Sequence, residues 1–203
     1  DNADYLEIFK KLSILPKNHP NYKQFKENNI PGAIVEVSLA FWKEESRKAY
    51  DPCAPSVQER VESLCKLQNA GIPLVLRVDP LFPRSPIESK TNKNLSQYGL
   101  TEAQTIPDLE ELVSFAKKID ALHIVYAPLR IVKPRYKSIS EVMRKWLEVY
   151  QDLSLPEKPV WSHGHWKLPK EVSDRLVIDP FLDICKSKEA KAKFCMKNLI
   201  ETP

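Results

Sequence analysis

The stretch Ile72-Pro73-Leu74-Val75-Leu76-Arg77-Val78-Asp79 decides the fold class of this chain. Its run of leucines and valines predicts a strand in which two leucines and Val78 lie on one face, while Arg77 and Asp79 lie on the other. A parallel strand buried on both faces is normally apolar throughout. The charged residues at the end of this strand therefore indicate either a functional site or an ion pair with a structural role.

A strand, a loop and an amphipathic helix follow one another three times along the chain. Each predicted strand is a short apolar run, and each predicted helix has apolar residues at helical spacing. Two capping boxes, Ser56-Val57-Gln58-Glu59 and Ser138-Ile139-Ser140-Glu141, predict the first turns of two of the helices. The predicted strands cover residues 33–40, 72–79 and 121–127, and the helices begin near 56, 108 and 138 and end near 71, 119 and 150.

The connections between these elements differ in length. A helix is joined to the next strand by one or two residues, whereas strand-to-helix connections are long, as in the Pro-rich segment 80–107. Sites in parallel α/β proteins are built from loops at the carboxyl ends of the strands. We therefore predict an α/β fold, a parallel (partial TIM-type) βα barrel or the C-terminal part of one. We expect its functional site at the carboxyl ends of the strands.

Four polar residues are predicted to share one face of the first two strands. Glu36 and Ser38 alternate with apolar residues in the first strand, as Arg77 and Asp79 do in the second. We expect these residues to line one polar cavity. We expect this cavity to be either open to solvent on one side or closed by another copy of the chain.

The length of 203 residues predicts a single domain with one core. Residues 1–32 are predicted to form a helix and an approach segment, residues 33–151 the βα units, and residues 152–203 an extension with prolines, tryptophans and a basic helix. The charge pattern of that helix is typical of a solvated face, and nucleic-acid contact is the less favoured alternative. Its lysines are Lys186, Lys188, Lys191, Lys193 and Lys197.

The composition excludes several classes of protein. Hydrophobic residues make up 42% of the chain and charged residues 29%, which is typical of globular proteins and not of disordered chains. The longest apolar runs are far shorter than the ~20 residues that span a bilayer. Because the sequence shows neither a signal-peptide pattern nor a C-x-x-C pair, we expect a cytoplasmic protein with reduced thiols.

Potential ligands for a soft metal occur towards the C-terminus. His163 and His165 form an H-x-H pair, but the interval between Cys185 and Cys195 is not usual for zinc ligands. We therefore predict no metal site in this chain.

Other polar features are expected to be structural. His123 lies in a predicted strand and is interpreted as a core histidine, with a role as general base the less favoured alternative. Glu44 and Glu45 are expected in a solvated loop, and Cys53 is expected to be an ordinary loop cysteine. The chain has four glycines and no G-x-G, so a glycine-rich phosphate loop is not indicated.

Several short segments of the chain, taken in order, form a recognisable pattern. They are Val37-Ser38-Leu39, Asp51-Pro52-Cys53-Ala54-Pro55-Ser56, Glu59-Arg60-Val61, Asn69-Ala70-Gly71-Ile72-Pro73 and Arg77-Val78-Asp79-Pro80-Leu81-Phe82-Pro83. In this order and spacing they resemble the middle of radical S-adenosylmethionine (radical SAM) enzymes, notably the spore-photoproduct-lyase-like branch. The resemblance covers residues 33–150.

The resemblance implies a parallel barrel in which a [4Fe–4S] cluster cleaves S-adenosylmethionine reductively and generates a 5′-deoxyadenosyl radical. It implies that Ser38 contacts the ribose or carboxylate of this cofactor, and that Arg77 and Asp79, with Glu36 on the same face, line the same cavity. The branch it points to acts on nucleic acid, as a DNA-repair lyase does. It assigns no catalytic hydrogen donor.

The cluster-binding C-x-x-x-C-x-x-C motif is absent from the sequence. In the family this motif follows the first strand, upstream of all the segments above, so the chain resembles the C-terminal part of a barrel. We expect the complete protein to hold S-adenosylmethionine and [4Fe–4S], and this chain alone to hold neither and to be inactive. The expected partners are the missing N-terminal portion of the barrel or another copy of the chain, and a nucleic-acid substrate.

Two other functions remain as alternatives. One is a barrel-type hydrolase in which Glu36, at a strand end, is one of two catalytic carboxylates. The other is a non-catalytic module that binds a partner through segment 80–107 and the basic tail. An absorption band near ~400 nm in protein that includes upstream sequence distinguishes the radical SAM hypothesis from both.

Overall fold

The computed structural model describes residues 34–84, 90–132, 140–153, 158–162 and 164–194. The N-terminal helix predicted within residues 1–32 lies outside these ranges. In chain order the elements are β1 (Val35–Ser38), α1 (Glu44–Tyr50), α2 (Val57–Asn69), β2 (Leu74–Leu81), a 3₁₀ turn (Leu95–Tyr98), α3 (Ile106–Lys118), β3 (His123–Pro128), β4 (Ile131–Val132), α4 (Glu141–Leu153), β5 (Val160–Ser162), β6 (His165–Lys167), α5 (Lys170–Ser173), a π-helical turn (Asp174–Ile178), α6 (Asp179–Ser187) and β7 (Ala192–Phe194).

The main sheet is parallel, and its strand order is β1-β2-β3-β7. The pairs Val37↔Leu76 and Leu76↔Ile124 fix the register of the first three strands. The prediction that these strands are adjacent and parallel is therefore confirmed, as is the α/β class. Among the described residues the four strands form an open row with β1 at one edge and β7 at the other, so the finer prediction of a barrel goes beyond this architecture.

One face of the main sheet carries the hydrophobic core. The apolar residues of β1, β2 and β3 that alternate with polar ones pack there against the helices. Leu76 and Val78 are fully buried in this core, and Val35 and Val37 pack against it. The helices contribute Leu64 from α2, Leu112 from α3, Trp146 from α4 and Phe181 from α6.

Two helices begin with the side-chain hydrogen bonds that a capping box requires. At α2 the predicted box is confirmed, because Ser56 Oγ accepts from the Glu59 N–H at 3.2 Å and Glu59 Oε2 accepts from the Ser56 N–H at 2.8 Å. Helix α3 begins earlier than predicted, because Thr105 and Asp108 form a second capping box and Pro107 fits the first turn.

The second of the two predicted boxes, Ser138-Ile139-Ser140-Glu141, lies partly outside the described residues. There, Ser140 Oγ accepts from the Met143 N–H at 3.3 Å, just before α4 begins at Glu141.

The predicted loop at Glu44 and Glu45 is wrong, since both residues lie in α1. Arg47 stabilises this short helix. Its guanidinium contacts Glu44 Oε1 at 2.6 Å and donates to three backbone carbonyls of residues 51–54 at 2.9–3.2 Å. These bonds satisfy oxygens that follow the last helical turn, and a sequence pattern does not reveal them.

The prediction of a basic helix near the C-terminus is also wrong in part. Helix α6 ends at Ser187, and the chain then returns to the main sheet as β7. Lys193 pairs in register with Val125 of β3, while Ala192 and Phe194 pack against the core. Only three residues form this strand, too few for their alternation to be recognised in the sequence. Lys197 lies outside the described residues.

A small antiparallel sheet, in the order β4-β6-β5, is formed by three short strands that follow β3 in the chain. Trp166 of β6 packs against the core and contacts Trp161 of β5 with ring centroids 4.9 Å apart. Over the ranges that the structure describes, no helix combines the length and the hydrophobicity needed to cross a bilayer.

Candidate functional site

Two of the residues predicted to share a polar face, Glu36 and Asp79, form ion pairs with a third, Arg77. Arg77 Nη1 forms an ion pair with Glu36 Oε1, and Arg77 Nε and Nη2 donate to Asp79 Oδ2 at 3.3 and 3.0 Å. Arg130 Nη2 lies 3.9 Å from the same oxygen of Asp79. The Asp79 side chain is only 13% exposed, against 41% for Glu36, so Asp79 is the deeper of the two carboxylates.

The parallel register explains why these residues meet. Ser38 of β1 pairs with Arg77 of β2, and side chains at paired positions of neighbouring strands point to the same side of a sheet. Glu36 and Asp79 lie two residues from these positions and therefore share that side. We call Glu36, Ser38, Arg77 and Asp79 the polar face.

A groove of about 370 Å³ follows the edge of β1 where it faces α2. Glu36 and Ser38 line it from the strand, and Glu59, Arg60 and Ser63 line it from the helix. Among the described residues β1 pairs with β2 on one side only, so its other edge borders this groove. Such an edge presents backbone N–H and C=O groups that another strand can pair with.

A crevice of about 330 Å³ lies at the carboxyl ends of β1 and β2. Its polar lining consists of Ser38, Asp51, Arg60 and Asp79. Its apolar lining includes Phe41, Tyr50 and Phe82, together with Met143 of α4. The aromatic rings contact one another, with centroids 5.9 Å apart for Phe41 and Tyr50 and 5.0 Å apart for Tyr50 and Phe82. An aromatic wall beside charged groups suits a ligand that has both an aromatic ring and polar substituents.

Arg60 separates the groove from the crevice and was not among the predicted site residues. Its Nη1 donates to the Ser38 backbone oxygen at 2.7 Å, and its Nη2 lies 3.5 Å from Asp51 Oδ2. Arg60 lies in one of the segments that carry the family resemblance, but the resemblance gives it no role. Asp51 and the aromatic residues were missed because α1 and the ends of the strands bring them together only in three dimensions.

His123 lies away from this site, at the start of β3. It is half-buried, in register with Val75, which in turn pairs with Glu36. Burial and the nearby Lys193 lower the pKa of His123, whereas Glu36 acts in the opposite direction. The imidazole is therefore mainly uncharged at neutral pH, and its position at the amino end of the strand separates it from the crevice.

The described cysteines do not fit an iron–sulfur cluster. Cys53 is exposed, Cys65 is half-buried and Cys185 is buried in α6. Burial raises the pKa of Cys185 to about 12, which opposes the thiolate that a metal requires. Within the ranges that the structure describes, no three histidine, cysteine or acidic side chains are arranged to hold a metal ion. Of the zinc ligands considered above, His163 and Cys195 lie outside those ranges.

Comparison with known proteins gives no family assignment. No protein-family model matches the chain, and no curated protein shows a significant match.

Proposed function

We propose that this chain is the C-terminal part of a radical SAM enzyme and that the crevice at the ends of β1 and β2 forms part of the site for S-adenosylmethionine. One observation carries the proposal: Asp79, which forms an ion pair with Arg77, lines a crevice with aromatic walls at the carboxyl ends of parallel strands. In parallel α/β proteins this is the usual place for a ligand.

The chemistry of the crevice fits the parts of S-adenosylmethionine. Phe41, Tyr50 and Phe82 offer an apolar wall for the adenine ring. Asp79 and the Ser38 hydroxyl can accept from the ribose hydroxyls or the amino group, and Arg60, which also lines the crevice, can donate to the carboxylate. A volume of about 330 Å³ lies within the range of small-molecule sites. When bound, the cofactor supplies the reactive group, and these residues orient it and exclude water.

The iron–sulfur cluster does not fit the described cysteines, so no step is assigned to it in this chain. We propose that another portion of the complete barrel supplies the cluster and adds strands at the edge of β1 that the described residues leave unpaired. Another copy of the chain is the second possible occupant of that edge. The proposed substrate of the complete protein is a nucleic acid, which follows from the sequence resemblance alone.

A hydrolase that uses Glu36 and a second carboxylate is less well supported. Glu36 lines the groove and Asp79 lines the crevice, so the two carboxylates do not line the same cavity. A hydrolase of this type needs two carboxylates that flank one scissile bond.

A partner-binding role for segment 80–107 is also less well supported, because part of this segment is buried in the fold. Leu95, Leu100 and Ala103 are buried in the core, and Thr91 Oγ1 donates to Asp152 Oδ2 of α4 at 2.7 Å. The described part of the segment is therefore built into the fold.

The proposal is tested first on the full-length protein, reconstituted with iron and sulfide without oxygen. We expect an absorption band near ~400 nm and binding of S-adenosylhomocysteine, an unreactive analogue of the cofactor. Absence of both would contradict the proposal. Binding of the analogue without the band would leave a cofactor site but remove the radical mechanism.

A pair of variants then tests the crevice itself. Asp79→Asn is expected to weaken binding of S-adenosylhomocysteine by about tenfold or more, because a hydrogen bond to a charged group contributes roughly 1.5–3 kcal/mol. The matched control is Glu189→Gln, which removes a carboxylate whose side chain is 87% exposed and should leave the affinity unchanged. Equal affinities of the two variants would place the ligand elsewhere.

A further inference from the structure

The side chain of Gln104 connects the ends of β1 and β2. It lies just before α3 and is 1% exposed. Its Oε1 accepts from the Phe82 N–H at 2.9 Å, and its Nε2 donates to the Ala40 oxygen at 2.6 Å and to the Pro80 oxygen at 3.0 Å. A carboxamide has two N–H donors, so both are used.

These bonds occur where the backbone pairing of β1 with β2 has ended. The last paired residues are Ser38 and Arg77, followed by one bond from the Leu39 N–H to the Arg77 oxygen at 2.9 Å. Further along, the register of β2 with β3 also shifts, between Val78 and Leu81. Gln104 therefore joins the two strands at a point where the sheet ladder does not.

The backbone groups that Gln104 holds belong to the crevice. Ala40, Pro80 and Phe82 line it, and each lies within three residues of Ser38 or Asp79 in the polar lining. Because the ends of β1 and β2 both line the crevice, the distance between them sets its width. It also sets where the Asp79 side chain lies relative to the opposite wall. Capping of α3 does not require Gln104, because Thr105 and Asp108 supply that function.

We propose that Gln104 is a positioning residue of the crevice: it fixes the ends of β1 and β2 at the separation that ligand binding requires. This inference rests on the proposed function, since the ligand is taken to be S-adenosylmethionine or its analogue. Gln104 contacts the backbone that carries Ser38 and Asp79, and its effect on the ligand is indirect. Leaving a buried donor or acceptor unpaired is costly, so the arrangement depends on both ends of the carboxamide.

The test is the isosteric variant Gln104→Glu in the full-length protein. The ionised carboxylate can still accept from the Phe82 N–H, but it places negative charge against the oxygens of Ala40 and Pro80. Burial beside these oxygens raises the pKa of the introduced carboxyl, and its protonated form again donates one hydrogen bond. We expect S-adenosylhomocysteine to bind about tenfold more weakly at about pH 8, with recovery towards the wild-type affinity as the pH falls to about 6.

The matched control is Gln151→Glu, which makes the same change at an exposed position of α4 and should keep the wild-type affinity at both pH values. If Gln104→Glu folds and binds as the wild type does at about pH 8, the inference is overturned while the proposed function stands. If the wild-type protein itself does not bind the analogue, the proposed function fails first.

A second measurement needs no variant and covers the case in which Gln104→Glu does not fold. Hydrogen exchange of the Phe82 amide, which donates to Gln104, should slow at least severalfold when S-adenosylhomocysteine binds to the wild type. An unchanged exchange rate in protein that binds the analogue would also overturn the inference.

Discussion

The two faces of the parallel sheet differ in what holds their residues in place. On the core face, Leu74, Leu76 and Val78 are buried against helices, and the hydrophobic effect is sufficient to explain them. On the polar face, Arg77 joins Glu36 and Asp79 in ion pairs that remain partly exposed. Partly exposed ion pairs contribute little to stability. The comparison shows that a contribution to stability explains the residues of the core face. The charged residues of the polar face are better explained by a function.

The largest effect is expected on the core face. Leu76→Ala removes a side chain that is fully buried between β2 and the helices, and should lower the free energy of unfolding by about 2–5 kcal/mol. Leu122→Ala is the matched control, because Leu122 is 44% exposed and the same substitution should change the stability by less than about 0.5 kcal/mol. Urea titrations of both variants measure the difference, and similar losses would contradict the assignment of the two positions.

A smaller effect is expected on the polar face. Arg77→Met leaves the Asp79 carboxylate without its nearest cation and should cost about 1 kcal/mol in urea denaturation. Adding Asp79→Leu should recover part of that loss, because both charged partners are then gone. Adding Glu36→Gln should recover less, since Glu36 is more exposed than Asp79.

The control for this prediction is Lys186→Met. Lys186 pairs with Asp183 across a surface where both side chains are more than 70% exposed, and its loss should be nearly neutral. If Arg77→Met proved equally neutral, the polar face would contribute nothing to folding. A loss as large as that of Leu76→Ala would instead make the face structural and weaken the argument for a function.

The same contrast separates what the sequence could predict from what it could not. Strand β2, helix α2 and the side on which Glu36 and Arg77 lie follow from local alternation and from a capping box. Arg60 and Gln104 were not predicted, because they reach backbone groups 22 and 64 residues away in the chain. Contacts over such separations leave no periodic signal in a single sequence.

Helix α3 lies between these two cases. Thr105 and Asp108 have the spacing of a capping box, and a proline in the first turn is a favourable sign, so the sequence contained the signal. It was missed because the Pro-rich segment before it was interpreted as a loop up to Pro107. The further contact of Asp108 with Lys43, at 3.1 Å, depends on the tertiary fold.

The smallest effect is expected for the buried Asp108 carboxylate in the first turn of α3. Burial of Asp108 opposes its ionisation, but the hydrogen bonds from Thr105 and the ion pair with Lys43 outweigh this, so that its pKa is lowered. Because the pKa in the folded state lies below the unfolded value of about 3.9, the stabilisation is fully present above about pH 5 and is lost as the pH falls through 3.9 and below.

Asp108→Asn keeps an oxygen for the Thr105 N–H and removes only the charge. We expect it to lower the stability by less than about 1 kcal/mol at pH 7, because Lys43 is half exposed. The difference from the wild type should shrink as urea titrations are repeated at about pH 3, where the wild-type carboxylate is also becoming protonated. Asp183→Asn, on the exposed surface of α6, is the control and should show a difference close to zero at both pH values. If Asp108→Asn and Asp183→Asn changed the stability equally at both pH values, the buried Asp108 carboxylate would contribute no more to folding than the exposed Asp183 carboxylate. Burial would then not determine how much a charged side chain contributes to the stability of this fold.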